Sequence, residues 1–209
     1  MDQEIMIDAS GVSGQRGPAD SERRQQILHA AFEHFRLYGY RKTTVADIAK
    51  AINLSTPYLY NFFDSKQAIG DAICAHCTGM ILSEIEESVA ATNSPVEKLR
   101  RIFIGLESNG CRILNEERKM HDLVCASFEE GWSSVSVFKE GIFHLVRKVV
   151  VQGRETSEFE RKTPLEETSR AIARMAELFY HPTLLEQAGK SQEGEAVAVA
   201  NVAIRSLTA

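Results

Sequence analysis

Residues 43–67 read TTVADIAKAINLSTPYLYNFFDSKQ, and the fold turns on how they are parsed. Thr44-Val-Ala-Asp47 has the spacing of a capping box, a hydroxyl followed three residues later by an acid, with Val45, Ile48 and Ala49 apolar behind it. It predicts a short helix ending near Ala51. Asn53-Leu54-Ser55 is a polar turn, and Thr56-Pro57 opens a second short helix, because proline suits a first helical turn. Two short helices joined by a tight turn make a helix-turn-helix. Ala46, Ala49 and Ala51 are small enough for the partner helix to cross. Leu59 and Phe63 are the side chains to bury, leaving Thr56, Pro57, Tyr58 and Asn61 facing outward. Asn can pair in bidentate fashion with adenine, and Tyr or Thr can reach phosphates or thymine methyls, so this face suits a DNA major groove.

Working outward, Ile27, Ala31 and Phe35, with Leu28 and Phe32, form one apolar face of a helix from about Ser21 to Tyr38, which Gly39 stops. Residues 1–19 contain Gly11, Gly14, Gly17 and Pro18 without apolar periodicity and are expected to form a disordered arm. Downstream, Asp64-Ser65 caps a helix from about Lys66 to Ala91, roughly 40 Å of rod. Asn93-Ser94-Pro95 and Thr163-Pro164 each read as a cap followed by proline. Helices are expected near 95–115, 117–129, 134–153, 164–180 and 193–207, with His181-Pro182 breaking the chain between the last two. No strand-like alternation of useful length and no internal repeat is present, so the fold class is all-α. The expected domains are the arm (1–19), a helix-turn-helix head (20–65) and a larger helical bundle (66–209).

The chain has 209 residues, 44% of them apolar and 25% charged, which excludes wholesale disorder. Uninterrupted apolar runs are a few residues long, against the roughly 20 of a spanning helix, so no membrane segment is expected. The N-terminus has early acids and no long apolar core, unlike a secretory signal. Four cysteines do not suggest a disulfide scaffold, and the chain reads as cytoplasmic. Net charge is −5, but unevenly placed: from Gln15 to Gln67 eight basic side chains face five acidic ones, and the excess acid lies elsewhere. A mildly basic head on an acidic body permits polyanion binding by the head only.

Residues 43–67 resemble the DNA-binding head of TetR-type (TetR/AcrR) transcriptional regulators. The pattern, roughly T-x-x-D-I-A-x-x-x-x-[VL]-S-x-x-x-[LF]-Y-x-x-F-x-[SN]-K, is met at Thr44, Asp47, Ile48, Ala49, Leu54, Ser55, Leu59, Tyr60, Phe63, Ser65 and Lys66. The preceding AAFEHFRLYGYRKTT resembles the family's first helix and its exit. Asn53 stands where the family often has Gly, and Pro57-Tyr58 replaces smaller residues, so the operator is not inherited from relatives. The resemblance implies DNA-binding roles for Arg41, Lys42, Thr44, Ser55, Thr56, Pro57, Tyr58, Tyr60, Asn61 and Lys66. Thr44 would offer its N–H and hydroxyl to a phosphate, Tyr60 and Lys66 would each reach another, and Arg41 and Lys42 would touch the backbone or minor groove.

The resemblance also implies a homodimer on a pseudo-palindromic operator in double-stranded DNA, released when a small-molecule effector enters the body. The candidate pocket residues are Phe103, Met120, His121, Phe128, Trp132, Phe138, Phe143 and His144, and the competing reading is plain core. The candidate dimer stripes are Ala171, Ile172, Met175, Leu178 and Phe179 on one helix and Val197, Ala200, Ile204 and Leu207 on the last. Cys74-x-x-Cys77, with His121 and Cys125 at i, i+4, could hold zinc or act in redox sensing, but a CxxC on an amphipathic helix commonly fills small apolar space. No metal or cofactor is expected. No hydrolase, metalloprotease or nucleotide fingerprint is present. The chain is therefore expected not to be an enzyme; a helical enzyme and an interaction module lacking DNA binding are the alternatives.

Overall fold

The computed structural model describes residues 18–115, 117–188 and 194–208. They form ten α-helices and no strand: α1 (Pro18–Tyr38), α2 (Val45–Ala51), α3 (Thr56–Leu59), α4 (Lys66–Ala90), α5 (Pro95–Asn115), α6 (Arg118–Glu129), α7 (Ser133–Glu155), α8 (Leu165–Ala176), α9 (Pro182–Ala188) and α10 (Glu195–Leu207). A 3₁₀ turn, Glu177–Phe179, follows α8. All of the expected arm except Pro18 and Ala19 lies outside the described residues, and those two already belong to α1.

Most caps expected from the sequence are made. Gly39, at φ +90°, ends α1, its N–H donating to the Phe35 carbonyl at 2.8 Å. Ser65 Oγ accepts from Ala68 N at 3.0 Å and Ser94 Oγ from Glu97 N at 3.3 Å. Thr163 does not cap α8: Pro164 occupies the cap position, and the Thr163 N–H donates to the Glu160 carboxylate at 3.1 Å. Tyr180 and His181 alone separate the 3₁₀ turn from α9, and Pro182 becomes the first residue of α9, where its missing N–H costs nothing.

Two compact units divide the described residues, 18–77 with 117–134, and 78–115 with 135–188 and 194–208. The sequence boundary at 65/66 therefore needs correction. The core of the first unit gathers Ile27, Leu28, Ala31 and Phe35 of α1, Ile48 of α2, Leu59, and Ile69 and Ile73 of α4. Met120, Leu123 and Ala126 of α6 and the following Trp132 complete it. Burial of those apolar faces makes α6 part of the head.

In the second unit α10 lies along α5, which buries Leu99, Ile102, Phe103 and Leu106. Gly194 offers no capping side chain, and Glu107 of α5 supplies one from afar: its Oε1 accepts from Gly194 N at 3.1 Å and Ala196 N at 3.0 Å. By length and composition α4 is apolar enough to cross a membrane, although polar residues interrupt it throughout. Its Ile69, Ile73, Ile81, Ile85 and Val89 are buried within the two units.

The dimer stripes need correction as well. Ile172, Phe179, Ala200, Ile204 and Leu207 are sealed inside this chain, because α8 and α10 turn those faces to their own bundle. Ala171, Leu178 and Val197 are exposed and Met175 is half-buried. Val202, outside the expected stripe, is 60% exposed.

Candidate DNA-reading head

Thr44 (φ −105°, ψ 160°) makes both halves of the capping box: its Oγ accepts from Asp47 N at 3.2 Å, and Asp47 Oδ2 accepts from Thr44 N at 2.9 Å. The Thr44 hydroxyl proton goes to the same carboxylate oxygen at 2.6 Å. The Thr44 hydroxyl and N–H together hold the Asp47 carboxyl below its usual range. Both donors that the sequence reading assigned to a phosphate are thus spent inside the head, and Thr44 acts as a cap. After α2 the chain reverses at Asn53, whose φ of +54° is the left-handed geometry that asparagine tolerates. Leu54 N closes the turn on the Ala49 carbonyl at 2.9 Å. Ser55 Oγ then caps α3, accepting from Tyr58 N at 3.2 Å.

α3 and the turn that follows it divide their side chains as expected. Leu59 and Phe63 are buried, as is Phe62, whereas Pro57, Tyr58, Tyr60 and Asn61 are exposed and Thr56 half-exposed. Tyr58 stands edge-on to Phe62, ring centroids 5.4 Å apart, which limits where the phenol can swing. Arg24 of α1 pins the end of this segment, donating to the Phe62 carbonyl at 2.8 Å and lying 4.0 Å over the Phe63 ring.

The loop 39–43 feeds α2 and is gripped from two sides. Lys66 Nζ donates to the carbonyls of Tyr40 at 3.0 Å and Thr43 at 3.1 Å, and lies 4.3 Å over the Tyr40 ring. Its ammonium is turned inward, so the expected phosphate clamp is a loop clamp. Arg41 is likewise committed: its Nε meets Asp122 at 3.0 Å, its Nη2 meets Glu129 at 2.6 Å, and its N–H donates to Asp122 at 2.9 Å. Glu129 first and Asp122 second hold the guanidinium more firmly protonated than usual. Two carboxylates on α6 therefore neutralise a cation expected at DNA; at separations of 81 and 88 residues, no local pattern could have announced them. Tyr40 stands edge-on to Trp132 at 5.3 Å; burial, then the charge of Glu130, pushes its phenol up to about 12. Lys42 is exposed. With α6 included, the described head carries nine basic and ten acidic side chains, so its basicity disappears as a net quantity.

The eight pocket candidates do not converge. Met120 and Trp132 are head core, His121 is buried and Phe128 half-buried on α6. Phe103 packs against Phe179 and Phe138 against Tyr180 inside the second unit, while His144 points outward beside Glu140 at 3.3 Å. Phe143, under Arg170 at 4.4 Å, lines a cavity of about 220 Å³ between α7 and α8. A larger one, about 530 Å³, lies among Val89, Lys98, Leu145, Val149 and Gln152, none of them anticipated. His121 and Cys125 do sit together, Nδ1 to Sγ 3.6 Å, but among the described residues Cys74 and Cys77 do not join them around one point. Burial pushes the Cys74 thiol up, as for a packing residue rather than a reactive one.

A helix-turn-helix whose recognition helix buries its aliphatic side and exposes Tyr58, Tyr60 and Asn61 defines a DNA-binding regulator. Residues 27–73 match the description "Bacterial regulatory proteins, tetR family", and residues 95–199 match "Tetracyclin repressor-like, C-terminal domain". The chain belongs to the TetR family of transcriptional regulators, whose members bind DNA and small-molecule effectors and act as dimers. The chain is 30% identical over 142 residues to the HTH-type transcriptional repressor KstR2 of Rhodococcus jostii, a match spanning 66% of this chain and 55% of that one. It is 32% identical over 109 residues to the HTH-type transcriptional activator FasR of Mycolicibacterium smegmatis, 49% of each chain. The chain thus spans about half the length of these curated relatives. The fold is shared with a TetR-family repressor, FadR of Thermus thermophilus, solved with lauroyl-CoA (TM-score 0.62, 24% identity, 88% of this chain and 92% of that one). It is also shared with a TetR-family regulator from Pectobacterium atrosepticum (TM-score 0.71, 14% identity, 92% and 98%). Its relatives are regulators, not enzymes.

Proposed function

We propose that this chain is a homodimeric transcriptional repressor acting in the cytoplasm, reading a pseudo-palindromic operator and leaving it when a small-molecule effector binds the second unit. The exposed face of Thr56, Pro57, Tyr58, Tyr60 and Asn61 beside buried Leu59, Phe62 and Phe63 carries this reading. Base contact falls to Tyr58 and Asn61, and backbone contact to Tyr60, Ser55 and Lys42. Arg41, Thr44 and Lys66 hold the head in shape. The cavity of about 530 Å³ is the effector site of this proposal, since Val89, Leu145 and Val149 give it apolar walls and Lys98 and Gln152 a polar end. The dimer uses the exposed apolar side chains Ala171, Leu178, Val197 and Val202.

Selection of bound fragments from genomic DNA by the purified protein tests this. A palindromic site with half-sites about 34–36 Å apart is expected. Tyr58→Ala and Asn61→Ala each cost about 1–3 kcal/mol at one base step while leaving the melting temperature unchanged. Retention without sequence preference refutes the proposal.

A further inference from the structure

The head also carries a groove that shares only Lys42 with the DNA contacts proposed above. It has a volume of about 720 Å³ and lies among the last turn of α1, the loop after it, α2 and the start of α6. Lys42, Lys50 and Lys119 enter it from three different elements, with His34 and Tyr38 on its wall. All three lysines are exposed, and among the described residues none of their ammonium groups forms an ion pair or hydrogen bond. Neighbouring cations behave otherwise: Arg36 pairs with Glu33 at 2.7 Å, Arg41 with Asp122 and Glu129, and Lys66 with two carbonyls. The one carboxylate on the groove, Asp47, already accepts two bonds from Thr44, though its charge also faces His34 and Lys50. A unit with nearly balanced total charge thus gathers three lysines against one carboxylate in one concavity, where the surrounding low-dielectric wall focuses the excess positive field.

The wall adds a second kind of recognition. The rings of His34 and Tyr38 lie 5.3 Å apart and tilted at 47°, and Tyr38 is 55% exposed, leaving it open for a planar group to stack on. Leu37, 54% exposed, extends that apolar rim. The volume falls within the range of roughly 300–1,000 Å³ usual for small-ligand sites.

We propose that the groove among Lys42, Lys50, Lys119, His34 and Tyr38 is a second ligand site, on the head itself, for a small molecule joining several phosphate charges to a planar ring, as a nucleoside polyphosphate does. The lysines take the phosphates and Tyr38 the ring. Such a ligand bridges α1, α2 and α6 beside the Thr44 cap, which Thr43 and Lys42 immediately precede, and so ties α6 to the reading helices.

Isothermal titration of the full chain with ATP, inorganic triphosphate and adenosine tests this. ATP is expected to bind saturably, more tightly than triphosphate, with adenosine weaker than both. Lys50→Ala and Lys119→Ala each weaken ATP about three- to tenfold and Tyr38→Ala selectively removes the advantage of ATP over triphosphate. Arg118→Ala, an exposed cation of the same unit outside the groove, leaves ATP binding unchanged. No saturable binding at about 5 mM ATP, or equal loss with Arg118→Ala, overturns the proposal. DNA phosphates are the other source of this chemistry, and a salt titration on the selected operator separates them. If Lys50→Ala and Lys119→Ala each lower the salt slope by about one per head while ATP does not bind, the groove is a DNA flank and the free-ligand site is refuted.

Discussion

Lys66 separates two accounts of the same residue. As a phosphate clamp it would add to the electrostatic part of DNA binding and little to stability. In the structure its ammonium instead makes two charge-assisted bonds to the Tyr40 and Thr43 carbonyls. Lys66→Met keeps the aliphatic stem and removes only the charge and the donors. Charged hydrogen bonds are worth about 1.5–3 kcal/mol each, and here the site is half-buried, so water takes over part of the loss. A total of about 2 kcal/mol is expected, which for a chain of this size lowers the melting temperature by about 4–8 °C. The loop it releases leads straight into the Thr44 cap, so operator affinity falls too, through misplacement of α2 and α3. The assays are thermal melting and operator binding by fluorescence anisotropy across a salt series. The loop-clamp account expects a lower melting temperature and an unchanged salt slope. A variant melting within about 1 °C of the parent, with a slope reduced by about one per head, would refute it.

Three further outcomes follow from the same contacts. Thr44→Ala removes the α2 cap and costs about 0.5–2 kcal/mol by thermal or urea unfolding, with operator affinity falling while the preferred sequence is retained. Burial opposes ionisation of Asp71, but bonds from the Ser133 hydroxyl at 2.6 Å and Ser134 N at 2.9 Å prevail and hold its carboxyl below the usual range. A lowered carboxyl stabilises the fold above the ordinary carboxylate pKa and loses that contribution as pH falls through its folded value. The melting gap between parent and Asp71→Asn is therefore full at neutral pH and closes below about pH 4; a gap that widens in acid contradicts this. Gly110→Ala would drive its Cβ into the Phe179 carbonyl oxygen, a backbone atom that no rotamer change can move. A loss above about 3 kcal/mol is expected, read as lower soluble yield and melting temperature.

The parts of the molecule that were legible in the sequence are those whose signals are local. The box at Thr44 and Asp47, the turn at Asn53-Leu54-Ser55 and the helix opened by Thr56-Pro57 depend on neighbours within a few residues, and each forms where its pattern puts it. The split of α3 into a buried and an exposed side follows from helical spacing alone. The residues whose partners in the fold differ from the expected DNA contacts share a different property. For Lys66 and Arg41 the resemblance supplies a DNA contact and nothing local supplies another partner, whereas Thr44 has a local partner in Asp47 and the resemblance adds a phosphate to it. Each has a partner in the fold, and for Arg41 it lies on α6, beyond the reach of periodicity. Burial in the second unit was misjudged for a related reason. A stripe such as Ile172, Phe179, Ala200, Ile204 and Leu207 shows that a helix has an apolar side, and packing within one chain needs that as much as packing between two. What distinguishes the cases is which apolar side chains remain uncovered once the chain has folded. By that criterion Val202, absent from the stripe, is a better marker of an interface than Leu207, which completes it. The same reasoning gives weight to the lysines of the head groove: unmatched charge, like uncovered apolar surface, becomes visible only after every internal partner has been assigned.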